Sequence, residues 1–212
     1  MDPHKFGNFS RRCKILENGG AYNDITPVRT TTSAGDVTFS ASSTTLSAAV
    51  TSTSATTIAL TSATGFPVAG KVLIDSEIID YTGITDDTLT GCTRGASKLV
   101  DNVATSTTAA THSSGATVTC FTLIVTDAAH GVIAGDFVTF SGAASLGGNI
   151  TATILNRNYQ IEAVETADTY TILAKSFSDT TLKFTNVAST SSDSSNGGSS
   201  VVATYQVSTT AS

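Results

Sequence analysis

Five carboxylates crowd one short stretch of this 212-residue chain, Asp75, Glu77, Asp80, Asp86 and Asp87, and they are its densest candidates for chemistry. Side chains two residues apart share one face of a β-strand, as Asp75 and Glu77 would. That spacing admits two kinds of work: holding Ca²⁺ through oxygen ligands, or splitting a glycosidic bond between an acid and a base. Neither pattern is complete. No D-x-[DN]-x-[DN]-G loop surrounds the group, and nothing marks a pocket that would raise the pKa of one carboxyl above the other. A solvated turn accounts for the cluster more simply.

Histidine, cysteine and tyrosine complete the reactive inventory. His112 and His130 are candidate acid–base groups, but His130 stands between Ala129 and Gly131 in a predicted turn, where a ring nitrogen ordinarily bonds local backbone. Gly91-Cys92-Thr93-Arg94-Gly95 sets a thiol beside a cation; with no base alongside, the expectation is a buried Cys and an Arg paired to an acidic neighbour. Cys13, Cys92 and Cys120 are odd in number and lack C-x-x-C spacing, which predicts neither a disulfide framework nor a zinc site. Tyr81, Tyr159, Tyr170 and Tyr205 could stack sugars, yet on alternating strands such rings more often belong to the core or its rim. Gly-x-Ser-x-Gly elbows, P-loops and dinucleotide fingerprints are missing. The sequence therefore names no catalytic, cofactor-binding or metal-binding residue and disfavours an enzyme.

The elements that would position these groups are strands. Hydrophobic residues make up 40% and charged residues 13%, and Ser and Thr far exceed ordinary usage, a bias toward β-structure with long polar connections. A formal net charge of −6 and a pI near 4.8 disfavour nucleic acid, whose affinity comes mostly from phosphates neutralised by Lys and Arg. His4, Lys5, Arg11, Arg12 and Lys14 form a local exception, read as a solvated or partner-docking tail. The opening MDPHKFGNF lacks the apolar run of a secretory signal, and no segment is apolar for long enough to predict a membrane partner.

Turn signals and period-2 runs predict an all-β fold of tandem or nested small antiparallel β-sandwich or barrel modules. An extended N-terminal arm covers 1–36, a first module 37–119, a second 120–207 and a tail 208–212. Ala116–Thr126 reads as one long strand, Ala152–Leu155 as at most one helical turn, and Ser189–Ser200 as a flexible loop. Ser40–Thr57, nearly all Ser, Thr and Ala, fits either disorder or an exposed strand.

The chain also repeats itself. Ile58–Ala63 lies over Leu123–Ala128, and Val68-Ala69-Gly70-Lys71-Val72 over Ile133-Ala134-Gly135-Asp136-Phe137. Each copy is a strand, a turn of small and polar residues, an apolar-Ala-Gly step and a second strand. His130, Gly131, Gly135 and Asp136, with Gly65 and Gly70, are accordingly expected to shape hairpins, Gly70 and Gly135 through a positive φ. That role predicts that Gly135→Val costs folding or assembly and that His130→Gln is tolerated.

The second copy and the strands C-terminal to it carry a resemblance. Ala129-His130-Gly131, Gly135-Asp136-Phe137-Val138-Thr139-Phe140-Ser141-Gly142-Ala143, Tyr159-Gln160-Ile161, Thr169-Tyr170-Thr171-Ile172 and Val202-Ala203-Thr204-Tyr205-Gln206 resemble a β-rich module of tailed-bacteriophage virion proteins. Tyr22–Arg29 and Ala34–Phe39 look like the approach to that module in head-to-tail and tail-nozzle type proteins. Gly65-Phe66-Pro67, Glu77–Gly83 and Leu89–Ala96 are similar to a second phage structural repeat, so the first module reads as an insertion into the second. The resemblance implies a non-enzymatic virion component, assembled in the host bacterial cytoplasm, whose partners are itself as a homo-oligomer and other virion proteins. Capsid decoration or a fibre is the alternative placement, and an adhesive module binding a host-surface glycan is the alternative function.

Overall fold

The computed structural model describes the backbone of residues 27–30 and the whole of residues 36–206. The protein is all-β; α1 (Ala152–Leu155), the helix among the described residues, is the single turn that the sequence predicts. Apart from 27–30 and 36, the expected N-terminal arm lies outside the described residues, as do its basic cluster, Cys13 and the 208–212 tail.

Two strands, β1 (Pro27–Thr30) and β2 (Thr38–Ser40), come first. The chain then builds a complete sandwich from β3 (Ser43–Thr45), β4 (Thr57–Ala59), β5 (Gly70–Ile74), β6 (Glu77–Tyr81), β7 (Gly83–Thr85), β8 (Thr88–Thr90) and β11 (Thr117–Cys120), with a hairpin of β9 (Ser97–Val100) and β10 (Val103–Ser106) set between the last two. A sheet of order β3-β11-β5-β6 faces one of order β4-β8-β7, and Leu46, Ile58, Val72, Ile79, Leu89 and Val118 fill the space between them. Leu46 bridges to Leu60 and Val50 to His112, so the Ser/Thr-rich stretch is anchored by its two larger apolar residues.

The second sandwich takes β1, β2 and the remaining strands: β12 (Thr122–Thr126), β13 (Phe137–Ser141), β14 (Asn158–Gln160), β15 (Ala163–Thr166), β16 (Thr169–Leu173) and β19 (Val202–Gln206), with a hairpin of β17 (Lys175–Ser178) and β18 (Lys183–Asn186). A sheet of order β1-β19-β13-β14 faces one of order β15-β16-β12-β2 across Phe39, Leu123, Phe140, Tyr159, Tyr170 and Tyr205. Alternation in β13 is strict: Val138 and Phe140 turn inward while Phe137, Thr139 and Ser141 turn out.

The sequence repeat is a repeat of topology. In each sandwich the opening strand, the last strand, the strand after the repeat's turn and its successor form one sheet in that order, β3-β11-β5-β6 and β1-β19-β13-β14. The strand before the turn lies in the other sheet beside the corresponding partners, β4-β8-β7 and β12-β16-β15. The expected hairpin is therefore corrected. Strands β4 and β5, like β12 and β13, belong to opposite sheets, and the turn between them is an arch crossing the core.

One sandwich is nested in the other. Although the whole first sandwich intervenes, β2 pairs with β12, Phe39 opposite Val125, and Val37 and Phe39 are buried in the second core. The inserted module accordingly begins after Ser40 and not at residue 37. Ala116–Thr126 is two strands, because no single strand can serve two sandwiches: Thr117–Cys120 pairs in the first and Thr122–Thr126 in the second. Phe121 is the pivot. Its N–H donates to Lys71 O at 3.0 Å in one module, its C=O accepts from Ala174 N–H at 2.9 Å in the other, and its side chain packs with Ile78 and Ala96. The two hairpins also adjoin, through Asn102 N–H to Phe184 O at 2.9 Å and Phe184 N–H to Asn102 Oδ1 at 2.8 Å.

Candidate functional site

The five clustered carboxylates are dispersed by the fold. Lys71 pairs across the strands with Asp80, while Asp86 and Asp87 form the β7–β8 turn, where Asp87 Oδ1 accepts from Ala63 N–H at 2.7 Å. Asp75 and Glu77 alone enter a convergent group, and its other members come from distant loops: Arg94, His112 and the backbone of Ser52, Gly95 and Ala110.

Glu77 is the centre. As the first residue of β6 it shares the inward register of Ile79 and Tyr81, which leaves it 1% exposed. Arg94 donates Nε–H to Oε1 at 2.8 Å and Nη2–H to Oε2 at 2.6 Å, the bidentate fork that a planar guanidinium offers a carboxylate. Gly95 N–H reaches Oε1 and Ala110 N–H reaches Oε2, each at 2.9 Å, and His112 Nε2 lies 2.8 Å from Oε2. Burial raises the Glu77 carboxyl, but the bonds from Arg94, Ala110, Gly95 and His112 outweigh it and hold the group at about 2.

His112 stands between two acids, with Nδ1 2.7 Å from Asp75 Oδ2. A neutral imidazole carries one N–H, so both contacts are hydrogen bonds together only in the imidazolium. Arg94 also donates Nη1–H to Ser52 O at 2.8 Å and its second Nη2–H to Ala110 O at 2.5 Å. The group thus ties three loops to the β5–β6 turn. Chemically it is a clamp: every oxygen of Glu77 and both nitrogens of His112 are already engaged by the protein itself. Sequence reasoning separated these residues, and the signal that unites them is a Glu in the inward register of an otherwise apolar strand.

Around His130 the arrangement is likewise internal. Nδ1 accepts from Val132 N–H at 3.2 Å, which places the proton on Nε2, 3.2 Å from Thr166 O, and the ring meets Tyr170 edge-on at 5.0 Å. The ring bonds local backbone, as a turn role would have it, whereas burial at 3% exposure argues against the expected tolerance of His130→Gln. Asp136 Oδ2 accepts from Ile133 N–H at 3.0 Å. Gly65, Gly131 and Gly135 adopt φ of +79°, +65° and +94°. Gly70 does not share this conformation; it opens β5 where an added Cβ would lie 3.0 Å from Thr122 Oγ1. Close packing, not handedness, is its constraint.

The Cys92 and Arg94 expectation holds in geometry: Cys92 is buried and its thiol is pushed up to about 11 by burial, offset in part by Arg94, which pairs with Glu77. Burial pushes Cys120 to about 12. Tyr81, Tyr159, Tyr170 and Tyr205 are all core residues rather than sugar platforms, and burial raises every one of their phenols. Tyr205 donates to the buried Asp127 Oδ2 at 2.5 Å, and Tyr170 to Tyr205 at 3.0 Å. No known family, characterised protein or solved structure matches the chain.

One set of residues escaped sequence reasoning altogether. Asp193, within the tract expected to be flexible, is buried and accepts from the N–H groups of Gly148, Asn149, Ile150 and Thr190 at 2.8–3.0 Å and from Thr190 Oγ1 at 3.1 Å. Ser195 N–H to Leu146 O and Phe39 N–H to Asn196 O fasten the same tract. The usable signal was the pairing of a lone Asp with a distant Gly-Gly-Asn loop rich in unpaired donors.

Proposed function

We propose that this chain is a structural component of a tailed-phage virion, acting by self-assembly and docking in the tail or head-to-tail region. The observation that carries this reading is where the motif residues of the resemblance fall. Val138, Phe140, Tyr159, Ile161, Tyr170, Ile172, Ala203 and Tyr205 are side chains of one sandwich core. What the motif specifies is thus a scaffold, and the side chains that could do chemistry, Glu77 and His112 in the inserted sandwich and His130 and Asp193 in the motif's own, are each bonded within the protein. Such a module contributes shape, edges and surface charge to an assembly.

Mass spectrometry of purified particles, followed by density for the nested sandwiches in a particle map, tests the proposal. Density in the tail or head-to-tail region is expected; density on the capsid surface moves the protein to a decorating role. Particles that lack the chain, together with saturable glycan binding by the monomer, overturn it in favour of a host-surface adhesin.

A further inference from the structure

The cations of the described residues are grouped. Lys71 and Arg94 are committed to Asp80 and Glu77. Apart from Arg29 on β1, the remaining cations among the described residues, Lys98, Arg157, Lys175 and Lys183, gather on or against the two adjoining hairpins, where they outnumber Asp101 and Asp179. Arg157 lies 5.2 Å over the ring of Phe177 and Lys175 5.1 Å over that of Phe184, and the two rings are 4.8 Å apart. Val103 in β10 and Leu182 at the β17–β18 turn add exposed apolar surface, at 61% and 68%.

The turns before β8 and β16 show the opposite sign. Asp86 and Asp87 occupy one and Asp168 the other, and Glu165 links the modules by accepting from Val68 N–H at 2.7 Å. Val68 and Val164 expose apolar surface beside them. The molecule therefore carries a cationic apolar surface and an anionic apolar surface. Strand β16 runs from the acidic turn to the cationic hairpin, which sets Asp168 and Lys175 roughly 20 Å apart at an extended rise of about 3.3 Å per residue. Among the described residues, the ion pairs between full charges are Lys71–Asp80 and Arg94–Glu77, His112 lies between Asp75 and Glu77, and none of these contacts joins the two surfaces.

We infer that the cationic hairpin surface docks onto the acidic turn surface of a second copy of this chain. The contact is head-to-tail, because the two faces are unlike, and its repetition closes a ring or extends a filament. Opposite charges steer the encounter and set its register, while the exposed valines and Leu182 supply apolar burial. This inference rests on the self-assembly reading and names the surfaces that assembly uses.

Mass photometry and sedimentation velocity of the full chain test it, with two charge variants. Lys98→Glu with Lys183→Glu reverses the hairpin surface; Thr85→Lys, Asp86→Asn and Ala167→Lys reverse the turn surface without touching the Glu165 and Asp87 backbone bonds. The wild type is expected to associate at about 0.01 M salt and to weaken toward about 1 M, as the Debye length shrinks from about 30 to about 3 Å. Each variant alone should lose at least about tenfold in affinity, and an equal mixture of the two should recover association because each supplies the sign that the other lacks. Circular dichroism spectra of both variants that match the wild type are the check on their folding. Wild-type oligomers that persist in both variants overturn this interface and leave self-assembly standing; a wild type that stays monomeric at low salt overturns both.

Discussion

Replacing Glu77 by Gln keeps the shape of the side chain and removes its charge, which isolates what the buried clamp contributes. The carboxyl is held at about 2 against an ordinary 4.5, a preference worth roughly 3 kcal/mol at neutral pH. Gln also places an NH₂ group where an oxygen accepted before, facing N–H donors of Arg94 and either Gly95 or Ala110 and His112, and it leaves the guanidinium without a counter-charge. Breaking a buried pair in this way costs about 3–5 kcal/mol. At about 2–4 °C per kcal/mol for a chain of this size, Tm should fall by about 6–20 °C.

The pH dependence carries the sign. Because the folded value lies below the unfolded one, the contribution of Glu77 is complete above pH 4.5 and is lost as the pH falls from there toward 2. Thermal melts followed by circular dichroism, stepped from neutral pH downward, should show wild-type stability declining through that window while the Gln variant, already without that contribution, declines less. Asp80→Asn is the control, since the Asp80 side chain is 44% exposed and such pairs are worth at most about 1 kcal/mol. A Glu77→Gln protein that melts within about 2 °C of the wild type at neutral pH refutes the clamp.

Gly135→Val places a β-branched residue at φ +94° in open space, so chemical denaturation should register backbone strain of about 1–3 kcal/mol, whereas Gly142→Ala drives a Cβ into Ser200 O and should cost more. His130→Gln forfeits a buried ring against Tyr170 and should lose about 1–3 kcal/mol by the same assay; an unchanged midpoint would restore the simpler turn role. Asp193→Ala strips the partners from four N–H groups, and hydrogen exchange should accelerate at Gly148–Ile150 and Thr190 before the rest of the chain. Phe121→Ala removes the ring at the pivot between sandwiches, about 3–5 kcal/mol for a buried Phe, and calorimetry should resolve two transitions if the ring couples the modules.

How much of this was legible depends on how local the cause was. The all-β class, the one-turn helix and the inward tyrosines come from period and propensity, which neighbouring residues decide. The repeat was visible as well, but its meaning was not: a strand, a turn and a strand read identically whether the second strand returns to the same sheet or crosses to the other. Buried residues could have warned of the strand break at Phe121, where apolar or small residues run consecutively from Val118 to Val125 and the alternation lapses. The Glu77 clamp and the Asp193 knot were hidden because their partners come from loops of no regular period. Each is assembled by tertiary contacts that bring unpaired backbone donors to a carboxylate.

Nesting explains why the surface charges fall into two groups. In both sandwiches the turn before the sixth strand of the shared plan, β8 or β16, and the hairpin after it lie on opposite sides of that strand in sequence. Duplication therefore makes two acidic turns and two hairpins, and insertion of one module between β2 and β12 sets like beside like: Val68 of one arch against Glu165 of the other module, and Asn102 of one hairpin against Phe184 of the other. A tandem arrangement on a flexible linker would fix neither pairing. Here the modules meet at Phe121, the pivot between β11 and β12, and Ser189 ties them again, donating its hydroxyl to Ser42 O at 3.0 Å while its N–H reaches Cys120 O at 2.9 Å. Bonds at this joint set the two acidic turns on one side and the two hairpins on the other, and a Phe121→Ala chain that stays folded should melt in two transitions and lose the inferred head-to-tail association.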